Sequence, residues 1–150
     1  MKKYIVLALC VLMVTTLVAC NRKPTTNENF TRVVKAYNYE ILSDETFESE
    51  GFGGVTQTDA EGELGSAQFI TLSDEEKAGE MYSLYKIEVE AMKGKSSSES
   101  NFNIGNSSKY TLKSDGSYMY LCKIKNTVLY LRGPSDKKST IKKVAKTLGY

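Results

Sequence analysis

No histidine and no tryptophan occur among the 150 residues. Without an imidazole there is no Ser-His-Asp or Cys-His relay, no histidine-ligated zinc, and no side chain whose ordinary pKa suits it to general-base work near neutrality. Charge of one sign is also missing overall, since 20 basic and 18 acidic residues leave a formal +2. A nearly neutral chain offers nucleic acid no electrostatic footprint. Proline occurs twice and cysteine three times.

What is present begins with an address. Lys2 and Lys3 precede an apolar run from Tyr4 to Ala19, interrupted only by Thr15 and Thr16. That is the layout of an export signal, and the run is shorter than the roughly 20 apolar residues a spanning helix needs. It closes on Leu17-Val18-Ala19-Cys20, which resembles the lipobox of bacterial lipoproteins. The resemblance implies cleavage between Ala19 and Cys20, a diacylglyceryl thioether on Cys20, and acylation of the new amino terminus, as by palmitate. Two or three acyl chains anchor a protein stably where one does not. The implied location is the extracytoplasmic face of a cell membrane, the implied partner is the bilayer itself, and the absence of a twin arginine favours the general secretory route.

Removing residues 1–19 leaves 131 of the 150, enough for one domain with its own core and too few for two lobes around a cleft. With Cys10 removed and Cys20 lipidated, Cys122 has no partner for a disulfide, a dithiol couple or a thiolate metal site. It lies in the alternation Tyr118, Tyr120, Cys122, Ile124, where a small buried hydrophobe is expected. Charge is segregated along the chain. Residues 28–90 carry 15 acids and 4 bases, and residues 91–150 carry 3 acids and 12 bases. The expectation is that the halves pack and neutralise one another; the alternative is a basic partner-binding face.

Residues 20–27 read as the lipidated cysteine and a polar tether, reaching about 25 Å at most, with Arg22 and Lys23 placed to attract anionic headgroups. The domain occupies residues 28–150. Phe30, Val33, Val34 and Tyr37 predict a helix over 28–37, with Asn38 suited to a left-handed C-cap. A strand follows at 39–43, then an acidic, glycine-bearing loop at 44–54, then a hairpin of 55–58 and 66–72. Ser73 with Glu76 forms a capping box for the longest helix, whose stripe is Ala78, Met81, Tyr82, Tyr85, Val89 and Met92 and whose stop is Gly94. Residues 95–108 read as a loop. Three strands at 110–113, 118–125 and 128–132, turning at Asp115-Gly116 and near Asn126, lead to a last helix on Ile141, Val144, Ala145 and Leu148. The expected fold class is α+β: a two-layer domain with an antiparallel sheet of five to six strands and three helices, in the order α-βββ-α-βββ-α. Helix-Asn/Gly-Tyr endings and the Tyr-rich meander resemble small bacterial cell-surface lipoproteins.

Gly94-Lys95-Ser96 mimics the end of a phosphate-binding loop, but Val89 stands where the first glycine belongs and a helix precedes the motif. The acids of segment 44–63 match no calcium-loop spacing, so a solvated acidic surface is expected, with no metal and no cofactor. The tyrosines Tyr110, Tyr118, Tyr120 and Tyr130 are the candidate binding surface, on one sheet face. The reading is a non-enzymatic, lipid-anchored envelope protein that binds a protein or envelope-polymer partner. A histidine-free hydrolase using carboxylates of 44–63, and a structural or inhibitory subunit, are the alternatives.

Overall fold

The computed structural model describes residues 22–150, so the signal segment, Ala19 and Cys20 lie outside the described residues. Helix α1 (Asn27–Ala36) is followed by strands β1 (Tyr39–Ser49), β2 (Gly53–Gly62) and β3 (Gly65–Thr71), then by α2 (Glu75–Ala91). Strands β4 (Ser97–Ile104), β5 (Ser107–Ser114), β6 (Ser117–Ile124) and β7 (Thr127–Pro134) come next, and a 3-10 turn at Ser135–Lys137 leads into α3 (Lys138–Thr147). All seven strands form one sheet in the order β1-β2-β3-β7-β6-β5-β4, and every neighbouring pair is antiparallel.

Turn chemistry sets the hairpins. Asn38 takes φ 61° after α1, and Asp115 and Gly116 take 44° and 80° between β5 and β6, the left-handed pair that a two-residue hairpin needs. Gly133 is required by closeness: a Cβ there would lie 1.9 Å from the Leu64 carbonyl oxygen. The Thr26 hydroxyl caps α1 by accepting from the Asn29 amide at 3.2 Å. Asn27 then clamps the helix start to the sheet, donating to Thr58 at 3.1 Å and accepting from Thr71 at 3.0 Å.

Alternation along the strands divides the core in two. Phe69, Tyr118, Tyr120, Cys122, Leu129 and Leu131 face α1 and α3, while Ile70, Tyr110, Met119, Leu121 and Val128 face α2. Phe30 stacks on Phe69 at 5.2 Å between centroids, and Tyr150 meets Phe69 edge-on at 6.4 Å.

The α+β class stands, and its details differ from the expectation. There are seven strands, the order is α-βββ-α-ββββ-α, and the helices cover both faces, giving three layers where two were expected. The acidic segment at 44–54 is the distal part of β1 and the start of β2, and the serine-rich segment at 97–104 is strand β4. Both β1 and β4 are sheet edges. The distal half of β1 and all of β4 are largely exposed, so they show no apolar core-facing alternation and are held by backbone ladders with a few polar side-chain contacts. The cap of α2 is Asp74, whose carboxylate accepts from the Lys77 amide at 2.9 Å, and not Ser73, whose hydroxyl donates to Asp74. Met92 is the exposed C-cap of α2 and no part of its buried stripe.

Candidate functional site

The four candidate tyrosines do not share a surface. Register places Leu121 opposite Tyr110 on one side and Tyr130 on the other, so Tyr110 and Tyr130 belong to the α2 face, while Tyr118 and Tyr120 belong to the α1 and α3 face. Tyr110, Tyr118 and Tyr120 are buried. The Tyr110 hydroxyl donates to Glu99, and the Glu99 carboxylate also pairs with Lys93. Tyr130 meets Tyr85 edge-on at 5.6 Å. The expected single sheet face carrying all four is therefore corrected to two pairs on opposite faces, with Tyr130 the one that is only half-buried.

The acids of 44–63 are spread along a two-stranded ladder. Asp44 accepts from Thr58 at 2.9 Å, and Asp59 accepts from Ser43 at 2.8 Å and from Gln57 at 2.9 Å. Glu45 and Glu48 have opposite parity on β1, so they point to opposite faces. Among the described residues no three His, Cys, Asp or Glu side chains converge on a metal-sized position. Gly94 follows the end of α2, its amide donates to the Ser114 hydroxyl at 2.7 Å, and a Cβ there would meet the Asp115 carboxylate. Its glycine serves that close approach. Cys122 is buried, and burial pushes its thiol up to about 11, which leaves it protonated and a poor nucleophile.

Two concavities stand out. The larger, about 390 Å³, lies on the α2 face against Leu42, Asp59, Gln68 and Tyr130. Its polar groups are engaged internally: Asp59 as above, and Gln68 by the Tyr85 hydroxyl at 2.6 Å. The smaller, about 180 Å³, lies on the opposite face between β5, β6 and the start of α3, against Lys109, Lys113, Tyr118, Tyr120, Lys138 and Lys142. Strand alternation turns Lys109, Thr111 and Lys113 away from the buried Tyr110 and Leu112. Helical spacing puts Lys138 and Lys142 one turn apart. The Lys138 ammonium sits over the Tyr118 ring at 5.4 Å, and that of Lys109 lies over Phe102 at 5.6 Å and Tyr120 at 6.0 Å.

Polar groups in this cleft lack partners. None of its four lysines is in an ion pair among the described residues. The buried Tyr118 hydroxyl makes no hydrogen bond. Burial raises its pKa to about 12, and the Thr111 hydroxyl, beside it but outside bonding geometry, opposes part of that rise. Of the four ion pairs found, only Lys123 with Glu75 joins the acidic half to the basic half. The two halves do pack into one sheet through β3 and β7, with one direct ion pair between them among the described residues. Sequence reading missed this site because the lysines come from a strand and a helix far apart in the chain; its only trace was Lys109-x-Thr111-x-Lys113 alternating with Tyr110 and Leu112.

No family model and no curated protein matches the chain. A solved structure does. It is a GTP binding regulator from Thermotoga maritima, 16% identical, with a TM-score of 0.51 over 83% of this chain and 87% of that one. At this identity the likeness is one of fold.

Near the cleft the chain turns toward its N-terminus. The Asn106 side-chain amide donates to the Arg22 carbonyl at 3.1 Å, in the turn that joins β4 to β5. The Arg22 guanidinium is close enough to Tyr120 to lower its otherwise raised pKa.

Proposed function

We propose that the protein is a lipid-anchored, non-enzymatic binding module of the extracytoplasmic membrane face, tethered through Cys20 and binding through the lysine-lined cleft. The observation that carries this reading is the nearness of Arg22 to the cleft. Arg22, two residues after Cys20 in sequence, accepts a hydrogen bond from Asn106 through its carbonyl and lies beside Tyr120 of the cleft wall. A lipid on Cys20 would then be within two residues' reach of that point and would hold the cleft near the headgroups. The absent imidazole and the protonated, buried Cys122 support binding over turnover. Among the described residues no helix is long and apolar enough to cross a membrane.

The test is Cys20→Ser. The expected outcome is loss of palmitate incorporation and accumulation of the uncleaved precursor, which keeps its apolar run. Equal processing and equal palmitate incorporation would overturn the reading.

A further inference from the structure

We propose that the cleft between β5, β6 and α3 is a phosphate-binding site, in which Lys109, Lys113, Lys138 and Lys142 surround a tetrahedral oxyanion and the Tyr118 hydroxyl donates a hydrogen bond to it. This deepens the reading of the protein as a membrane-anchored binding module, on which it rests, by giving the ligand a chemical class.

Four ammonium groups gathered around one cleft repel one another, and no carboxylate pairs with them. Glu99, whose residue also borders the cleft, is held by Lys93 and Tyr110. A bound anion would convert this repulsion into attraction. The Tyr118 hydroxyl is the second, independent sign. The residue is 1% exposed and its hydroxyl is buried and unbonded, and a buried hydroxyl without a partner is destabilising unless a ligand or water satisfies it. Tyr118 lines the cleft, and its hydroxyl, protonated at neutral pH, can donate to an acceptor placed there.

The start of α3 adds little to the same field. No side chain caps it and its own first turn holds no acid, although the 3-10 turn leading into it takes up the Lys138 amide at the Ser135 carbonyl and carries Asp136, so the lysines and not the helix end supply the positive field. Size and donor type select the anion. About 180 Å³ is below the roughly 300 Å³ at which pockets begin to enclose whole drug-sized molecules, so it suits one compact group. The cations are lysines without an arginine, that is, point charges in place of the planar fork that matches carboxylates. A compact oxyanion of charge up to about −2 answers four point charges better than a singly charged carboxylate does. The phosphate could be free or part of a lipid headgroup, and an anchor on Cys20 would bring both within reach.

The test uses the full chain in neutral detergent, titrated with inorganic phosphate and followed by backbone amide resonances. Saturable shifts are expected at Thr111, Tyr118 and Lys138. Tyr118→Phe, which keeps the ring, should weaken binding about fivefold. Lys109→Gln combined with Lys138→Gln should weaken it at least about tenfold, and Lys125→Gln, outside the cleft, should leave it unchanged. Vesicles of phosphatidylcholine with and without phosphatidylglycerol separate the sources: competition by the anionic vesicles alone assigns a lipid headgroup, and no competition assigns free phosphate. Non-saturable shifts, or variants that bind as the parent does, would overturn the proposal. Because the titration is done in detergent, it can succeed even if Cys20→Ser shows the anchor to be wrong.

Discussion

On one face of the sheet two helices close over Phe69, Tyr120 and Leu129; on the other a single helix closes over Ile70, Leu121 and Val128. The two-helix face is built from short helices with one apolar side each. The one-helix face relies on α2, which turns Ala78, Tyr82 and Val89 inward while carrying Leu84 and Ile87 at 49% and 63% exposure. A face shared by two covers brings three buried aromatics, Phe30, Phe69 and Tyr150, into one cluster. A face with one cover leaves the outer strands β1 and β2 open, which is where the larger concavity lies.

The comparison breaks most readily at adjacent residues that point opposite ways. Phe69→Ala should cost about 3–5 kcal/mol and Ile70→Ala about 2–4 kcal/mol, measured by urea unfolding, because each leaves a cavity under a different cover. Equal losses would show that the second helix adds no tightness. Ile87→Ser should change stability by no more than about 0.5 kcal/mol; a larger loss would mean that the outer side of α2 is covered in solution.

The smallest effect is local. A hydrogen bond from the Lys77 amide, foremost among several groups, lowers the Asp74 carboxyl pKa below its usual value. A lowered folded-state pKa contributes stability above the unfolded pKa, about 3.9, and loses it as pH falls through the folded value. Asp74→Ala should therefore speed amide exchange at Lys77 and Ala78 near neutrality, and the difference from the parent should vanish on acidification.

Legibility in the sequence followed burial. Helix α1 was readable because Phe30, Val33 and Val34 repeat on one side, and α3 for the same reason at Ile141, Val144 and Ala145. Strand β4 was not, since Ser97 to Ile104 is exposed throughout and nothing in a polar edge alternates. The tyrosines misled for a different reason. Alternation within β6 correctly pairs Tyr118 with Tyr120, but whether Tyr130 joins them depends on cross-strand register, which sets Tyr130 against Leu121. The lysine cleft required knowing that α3 begins against β6, next to β5, a tertiary fact with no local signal. The charge imbalance between halves was visible, and the one ion pair that joins its two signs, Lys123 with Glu75, was not.

The central ladder also governs when this molecule can take shape. Strand β3 pairs with β2 at once but finds its second neighbour only in β7, with α2 and three further strands made in between, and such distant pairings are slow to form. Until Leu131 reaches Ala67, the first three strands form a meander with one unpaired inner edge, and Phe30 waits for Tyr150 to seal its cluster. A polypeptide assembled in this order closes its sheet late, once the last strand is in place.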